Sequence, residues 1–456
     1  MGDRNEERRR LILNEIERVD DQAPTADDPS RKHAKMSLNP FRFMRGSVQI
    51  FYNDLSTGVL TLPSPLTETV KKTGIMGDCH TSNFGFVTEK GSGGGLIIFA
   101  PDDFDDACVG HAAWDVCRFL VSLHLSVDLA HGILDSRYST DAFDDLEGLV
   151  APTEDETRAA AAAFLAAYRA TLLTIIDNPL HRRTVLHEFE KHHILWKALK
   201  KARKRAIGGK NFETKSKLGK AVIANGAELR FRDKPGRLKR LGKKEEAEVR
   251  GNFRKYVGDT IVDVVERIGQ GTGSLNVKRY YLLVGPKGAS TMAELPLCHL
   301  VEVKQQRHAA ALHFFPDLDP RNELNPAHLT AAMQRLMQRE PDLLLDEAEW
   351  KSSHWLIRSR HHASVSLDPE EICLHPKQSG KRLLEYAEAC AVALAHAHSR
   401  TDHRSTRFET MLATALAEAG DALLETAEAY SRQVISDWTM MRDMTGIDPT
   451  HMRKDR

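Results

Sequence analysis

The sequence predicts an α+β protein in which a sheet-rich segment interrupts a mainly helical chain. Between residues 226 and 310, short segments such as "AELRFRD" and "CHLVEVK" alternate apolar and polar residues, as half-buried antiparallel strands do. On both sides of this segment, apolar residues recur with helical spacing. A chain of 456 residues has material for two or three domains. We therefore predict an antiparallel-sheet lobe at 226–310, between helical segments.

The helical segments divide in chain order as follows. Residues 1–36 read as a charged leader with one short helix, and residues 37–225 as a helical lobe. Thr153 and Glu156 match a capping box, which predicts the start of the alanine-rich helix that follows. Residues 311–456 return to helical periodicity and are predicted to complete the helical lobe.

Composition argues against several classes of protein. Lys plus Arg and Asp plus Glu both number 64, so a net charge of zero gives no general attraction to nucleic acid or membrane. No apolar run approaches the roughly 18 residues of a membrane span, and the start lacks the apolar region of a signal peptide. The six cysteines form no CxxC pair, which argues against a zinc ribbon or disulfide framework. These features predict a cytoplasmic protein without a nucleic-acid or membrane partner.

The segment "GDCHTSNFGF", at 77–86, places an acid, an imidazole and a carboxamide in one glycine-bounded turn. Phosphoryl transfer needs a carboxylate that accepts the proton of the attacking hydroxyl, and ligands for the metal that neutralises the phosphates. Protein kinases carry such an Asp, and a metal-binding Asn five positions later, on one loop. Asp78 and Asn83 have this spacing, and His80 between them is expected to position the loop. The alternative is that these side chains only stabilise a tight turn.

A second motif, "PDDFDDA" at 101–107, follows the short apolar strand predicted in "GLIIFA". Asp103, which precedes Phe104, is similar to the metal-binding Asp of the kinase Asp-Phe-Gly motif. Asp105 is a candidate second ligand for Mg²⁺, a cation that prefers oxygen donors. An exposed, solvated acidic turn is the alternative, but four neighbouring acids repel one another unless cations compensate.

Together, "GDCHTSNFGF" and "IIFAPDDFDDACVGHAAWDVCRF" resemble the Gly-Asp-x-His-x-x-Asn loop and the metal-binding strand of aminoglycoside and choline phosphotransferases. These enzymes are kinase-like and use ATP and Mg²⁺. The resemblance implies that Asp78 is the base, that Asn83 and Asp103 bind metal, and that Asp115 in "AWDVCRF" supports the loop. It also implies that His80 is not the base.

From about residue 37 to 440 the chain resembles a bacterial family known as domain of unknown function 2252. The motifs that carry this resemblance are "NPFRFMRGS", "GDCHTSNFG", "DDFDDA", "GTGSLNVKRYYLLV", "VEVK", "LAHAHSR" and "DWTMMRDM". Little is established about the function of this family, so the predicted chemistry is inferred from the residues described above.

One departure from ordinary kinases suggests a circular permutation. A kinase carries its glycine-rich loop and ATP-binding Lys before the catalytic loop, but the residues before Asp78 contain neither. Downstream, "GQGTGSLNVKRYYLLV" and "HLVEVKQQ" resemble these elements in their usual relative order. We expect backbone amides around Gly271, Gly273 and Ser274 to bind phosphates, with Lys304 pairing to them. Alternatively, the glycines form a simple hairpin turn, and Lys304 is a solvated lysine on an edge strand.

Several roles remain open in the sequence. A kinase pairs its strand lysine with a helix Glu, for which Glu323 and Glu340 are the guesses here. Arg45, in "FRFMRGS", is either a phosphate clamp or a structural ion-pair partner of Asp115. Arg358 has the same two readings. The basic segment 197–217 reads as a solvated helix with a mobile loop rather than a nucleic-acid site.

The predicted function is an ATP- and Mg²⁺-dependent, kinase-like phosphotransferase with an unknown hydroxyl-bearing acceptor. The predicted fold has a helical catalytic lobe and an antiparallel-sheet nucleotide lobe. Three alternatives are a kinase-like regulatory module without turnover, an adenylyltransferase in which the nucleotide lies reversed, and a metal-dependent phosphohydrolase. Transfer of label from α- or γ-labelled ATP would distinguish adenylyl transfer from phosphoryl transfer.

Overall fold

The computed structural model describes residues 2–27, 29–268, 277–402 and 404–450. Helices account for 52% of the described residues and strands for 15%, with antiparallel pairing, so the predicted α+β class is confirmed. The helices are α1 Gly2–Asp20, α2 Arg31–Met36, α3 Pro40–Gly46, α4 Val48–Thr57, α5 Ser64–Thr67, α6 Ala112–Leu134, α7 Glu154–Asp177, α8 Ile194–Arg205, α9 Phe212–Lys215, α10 Lys217–Ala221, α11 Lys243–Phe253, α12 Ala310–Phe314, α13 Pro326–Met337, α14 Pro369–Cys373, α15 Ser379–Ser399 and α16 Arg407–Thr445. The strands are β1 Thr73–Ile75, β2 Phe84–Thr88, β3 Ile97–Pro101, β4 Cys108–Gly110, β5 Val222–Asn225, β6 Glu228–Phe231, β7 Leu238–Arg240, β8 Thr260–Arg267, β9 Arg279–Gly285, β10 His299–Gln305, β11 Asp346–Trp350, β12 Ser353–Ser359 and β13 Val365–Ser366.

The largest sheet has six antiparallel strands in the order β11-β12-β10-β9-β8-β7. The strands expected in "AELRFRD" and "CHLVEVK" form, as β6 and β10. The sheet also extends past residue 310, because β11 and β12 return after helix α13 and β12 pairs directly with β10. Sequence alternation located individual strands, but the return of a later segment to the same sheet depends on the tertiary fold.

The first 36 residues form part of the helical core rather than an isolated leader. Helix α1 is 19 residues long, and Ile12 and Ile16 on it are fully buried. From the same helix, Arg8 donates hydrogen bonds to Asp54 at 2.7 Å and to Asp437 at 2.9 Å. These bonds attach α1 to α4 and to the last helix, α16.

The long helices appear where apolar periodicity predicts them. Helix α7 begins with the expected capping box: the Thr153 hydroxyl accepts a hydrogen bond from the Glu156 N–H at 3.2 Å, and the Glu156 carboxylate accepts one from the Thr153 N–H at 2.8 Å. Together α6, α7, α15 and α16 surround the main hydrophobic core.

Two of these helices also have membrane-like composition. Averaged over 18 residues, α6 and α7 are long and apolar enough to cross a bilayer, although no uninterrupted apolar run of that length occurs. The apolar window of α6 is 83% buried within the protein, as the core helix of a soluble protein is. A cytoplasmic location remains a prediction.

A small sheet in the order β13-β2-β3 positions the two acidic motifs. Strand β2 begins directly after the 77–83 turn, and β3 ends directly before the 102–106 turn. Because these strands are antiparallel and Phe84 pairs with Pro101, both turns lie at the same end of the sheet.

Candidate active site

The two motifs predicted from sequence meet at the end of β2 and β3. The Asp102 N–H donates a hydrogen bond to the Asn83 carbonyl at 3.1 Å. This bond adds one more backbone pair to those between β2 and β3. Side chains from both turns therefore line one cleft, among them Asp78, Asn83 and Asp103. This juxtaposition follows from strand pairing.

Asp115 fixes the backbone at the start of the first turn. Its carboxylate accepts hydrogen bonds from the N–H groups of Met76, at 2.6 Å, and Gly77, at 3.0 Å. His398 Nε2 lies 3.0 Å from the same carboxylate. This geometry agrees with the loop-supporting role that the phosphotransferase resemblance implies. The proposed ion pair between Asp115 and Arg45 is wrong, because Asp115 is buried and bonded to the loop instead.

Gly77 is required by its conformation as well as by space. Its φ is +76°, in the left-handed region that favours glycine. A Cβ at this position would lie 1.9 Å from the Asp106 carbonyl oxygen, so the turn approaches the acidic motif too closely for any side chain.

Asp78 has a basic partner that the sequence did not reveal. Arg118, from the interior of α6, donates to Asp78 Oδ1 from Nε at 2.8 Å and also donates to the Met44 carbonyl at 2.8 Å. Burial raises the pKa of Asp78, although the Arg118 guanidinium opposes this shift. The available signal was an arginine inside an otherwise apolar helix, which seldom lacks an acidic partner.

His80 acts within the turn, as expected. Its Nδ1 accepts a hydrogen bond from the Ser82 N–H at 3.2 Å, and its ring packs edge-on against Phe41. Burial and the nearby guanidinium of Arg45 hold the pKa of His80 well below its ordinary value. His80 is therefore neutral near pH 7, and it caps the short helical turn Thr81–Asn83.

The acidic turn is not simply solvated. Burial raises the pKa of Asp102 to about 7 and that of Asp106 to about 6, with further contributions from the negative charges of Asp103 and Asp78 respectively. Asp106 accepts a hydrogen bond from the Ala310 N–H at 2.9 Å, which ties the turn to the segment after β10.

Lys304 contacts this acidic turn directly. Its ammonium pairs with the Asp105 carboxylate across 199 positions of sequence. Lys304 is only 4% exposed and β10 lies between β9 and β12, so the solvated edge-strand reading is wrong. Glu340 is not the partner, because it pairs with Arg183 at 3.1 Å. Burial lowers the pKa of Lys304 to about 7.

Gly271, Gly273 and Ser274 lie outside the described residues. The strands on either side, β8 and β9, pair with each other, and Arg279 at the start of β9 is the cross-strand neighbour of Lys304. The start of β9 therefore lies at the end of the sheet that carries Lys304.

Three arginines of the large sheet surround one buried acid. Glu302, on β10, accepts hydrogen bonds from Arg279 at 3.0 Å, Arg358 at 3.0 Å and Arg360 at 2.9 Å. Burial opposes ionisation, but the three guanidiniums hold the pKa of Glu302 below its usual range. Sequence reasoning singled out only Arg358. Arg360 lies two positions after Arg358, directly past the end of β12, and this spacing in an extended segment was a signal that both face one side.

Two cavities adjoin these groups. The first, of about 350 Å³, lies between the arginine cluster and the acidic turn. The second, of about 680 Å³, is bounded by α1, α2, the start of α4 and the segment after β10. Both are lined by Arg45, Asp78, Asp105 and Asp106.

The described residues offer no hydrogen bond or ion pair to the Arg45 side chain, whose guanidinium lies over the Phe41 ring at 5.9 Å.

The donor set in the first cavity suits Mg²⁺ bound together with phosphates. Asn83 donates from Nδ2 to the Asp78 carbonyl at 2.9 Å, which leaves its side-chain oxygen for another partner. Asp103 lines the same cavity, whereas Asp105 is engaged by Lys304. Within the described ranges, no group of three or more His, Cys, Asp or Glu side chains is arranged to hold a metal. Mg²⁺ usually needs only one or two carboxylates, with substrate phosphates and water completing its shell.

Comparison with known proteins identifies the family. The model of a family described as "Uncharacterized protein conserved in bacteria (DUF2252)" matches residues 27–131 and 150–444. The chain belongs to this family. No curated protein and no solved structure matches it significantly. The resemblance of this DUF2252 protein to phosphotransferases therefore rests on its motifs alone.

We expect Asp102→Asn to raise the melting temperature of this DUF2252 protein by more at pH 8 than at pH 5. Folding raises the pKa of Asp102 from 3.8 to about 7, so the folded state favours the protonated acid. The stabilisation is complete below the unfolded pKa and is lost as pH rises through 7. An amide resembles the protonated acid and cannot ionise. Thermal melts at both pH values, with exposed Asp144→Asn as control, test this. An equal shift at both would contradict it.

Proposed function

We propose that this protein is an ATP- and Mg²⁺-dependent, kinase-like phosphotransferase that moves a phosphorus-containing group onto a hydroxyl acceptor. The observation that carries the proposal is the contact of Lys304 with Asp105, because Asp105 lines both adjoining cavities together with Asp78. The two adjoining cavities together thereby contain a candidate base, oxygen ligands for a metal and a cation able to pair with phosphates. Phosphotransfer needs these groups together, because its catalysis is mainly positioning and charge stabilisation.

The order of elements in the large sheet supports a permuted kinase-like arrangement. The loop between β8 and β9 precedes the lysine strand β10, as the glycine-rich loop does in kinases. Helix α13 then follows β10 and precedes β11, the place where a kinase has the helix that supplies a Glu to its lysine. Here Gln334, on α13, and Gln338, directly after it, line the first cavity. Asp105, on the acidic turn, replaces the helix Glu as the partner of Lys304.

Each side chain has a distinct proposed role. Asp78 accepts the proton of the attacking hydroxyl, and Arg118 orients its carboxylate. Asn83 and Asp103 hold Mg²⁺, which when bound neutralises phosphate charge. Lys304 and Arg45 pair with the phosphates, together with the amides around Gly271, Gly273 and Ser274, while His80 positions the turn.

Calorimetric titration with ATP and MgCl₂, followed by chromatography of the nucleotide products, tests this function. We expect binding and slow ATP consumption, with weaker ATP binding in Lys304→Met and loss of Mg²⁺-dependent consumption in Asp103→Ala. Exposed Lys243→Met is the matched control for Lys304.

Three results would contradict the proposal. Full activity in Asp103→Ala would show that the reaction does not need a metal bound by Asp103 on the acidic turn. Cleavage of phosphate esters without ATP, unaffected by Lys304→Met, would indicate a phosphohydrolase. ATP binding with no consumption or transfer would indicate a regulatory module.

A further inference from the structure

We infer that the nucleotide lies with its β- and γ-phosphates against Arg279, Arg358 and Arg360 (the sheet arginines) and with its nucleoside in the second cavity. In this orientation the adenylyl group is transferred. This inference rests on the proposed function, whose kinase-like form leaves open which phosphorus is attacked. Four features carry it: the polarity of the first cavity, its arginine wall, the apolar part of the second cavity and the residues that line both.

The first cavity is unsuited to a purine. Among the described residues, its apolar lining consists of Met76 and Val87, and its other lining residues are polar or charged. Small-molecule sites bury most of the ligand surface against hydrophobic and aromatic side chains, with a few polar groups for orientation. A flat base in this cavity would instead displace water from carboxylates and guanidiniums without replacing their hydrogen bonds.

The same cavity is suited to phosphates. Arg279, Arg358, Arg360 and Glu302 carry a net charge of +2. Arg358 uses Nε for Glu302 and Arg360 uses NH1, so each keeps other guanidinium N–H groups for a ligand. Guanidinium forks match phosphate oxygens in geometry and charge. Because Glu302 fixes all three side chains, the site is ordered before the ligand arrives.

The second cavity provides the complementary environment. Its lining includes apolar side chains from four parts of the chain: Val19, Val48, Val277, Ala309 and Leu312. Its volume of about 680 Å³ lies within the range of small-molecule sites. A nucleoside therefore finds apolar contact here that the first cavity does not offer.

The residues that line both cavities determine which phosphorus reacts. A nucleotide that spans the two cavities places its α-phosphate between nucleoside and pyrophosphate, beside Asp78 and Arg45. The acceptor oxygen forms a bond to the α-phosphorus, and the bond from that phosphorus to the α–β bridging oxygen breaks. Pyrophosphate leaves with that oxygen and its electron pair, and Asp78 takes the hydroxyl proton.

Labelled ATP tests the assignment. The protein is incubated with Mg²⁺, a clarified bacterial extract as the source of acceptors, and either α- or γ-labelled ATP. Transfer of α-label with release of pyrophosphate supports the inference. Transfer of γ-label with formation of ADP overturns it and leaves the proposed function standing. Failure to bind ATP overturns both.

Binding measurements decide the orientation even without turnover. Arg360→Gln should weaken ATP and pyrophosphate binding about 10- to 100-fold but leave AMP binding unchanged. Val48→Trp, which fills the second cavity, should weaken ATP and AMP binding but not pyrophosphate binding. Exposed Arg254→Gln is the control for the arginine variant. Unchanged ATP and AMP binding in Val48→Trp would overturn the assignment, and so would equal losses of AMP and pyrophosphate binding in Arg360→Gln.

Discussion

Replacing Asp78 with Asn is expected to lower the rate of group transfer by about 10²- to 10⁴-fold, the usual contribution of a positioned general base. An amide fills the same space but cannot accept the acceptor proton. ATP affinity should change much less, because Lys304, Arg45 and the sheet arginines remain. Single-turnover transfer and calorimetric binding, measured on the same preparation, separate the two effects.

The pH profile gives a second readout for this variant. Burial raises the pKa of Asp78, so the wild-type rate should fall as pH drops through that pKa. The residual rate of Asp78→Asn should lack this acidic limb. Asp144→Asn, which changes an exposed acid, should keep both rate and profile. An unchanged rate in correctly folded Asp78→Asn would remove Asp78 as the base.

Replacing Glu302 with Leu is expected to lower the free energy of unfolding by about 3–5 kcal/mol, the usual cost of removing one partner from a buried ion pair. The variant leaves Arg279, Arg358 and Arg360 close together without the acid that neutralises them. Urea denaturation followed by circular dichroism measures the change. Glu302→Gln should cost less, because the amide oxygen still accepts hydrogen bonds.

A surface acid of the same sheet provides the comparison. Glu349, on β11, is exposed, and Glu349→Leu should change the free energy of unfolding by less than about 0.5 kcal/mol. If Glu302→Leu is equally mild, the arginines would be compensated by something other than Glu302. The electrostatic account of the cluster would then be wrong.

The part of the site predicted from sequence is the part encoded locally. Asp78 and Asn83 are five positions apart, and Asp103 follows a short apolar strand, so each motif could be placed on its own turn. The long helices were also predictable, because their apolar residues repeat every three or four positions. The capping box at Thr153 was readable for the same reason, since both its members lie within four residues.

The missed residues are those whose role depends on a distant partner. Arg118 appeared as one arginine in an apolar helix, and only the fold shows that it faces Asp78. Arg360 and Glu302 lie 58 positions apart, and they meet only because β12 pairs with β10. The sequence points to a helix for the acidic partner of Lys304, but that partner, Asp105, lies on the acidic turn.

The sequence alone determined the α+β class, the turns that carry Asp78, Asn83 and Asp103, and family membership, because short-range spacing and periodicity encode them. Only the tertiary structure decided that Lys304 meets Asp105, that three arginines enclose Glu302, and that two cavities of different polarity adjoin Asp78. These features arise where segments far apart in the chain pack together. No local pattern specifies such packing, because it depends on the pairing of all the strands and helices between them.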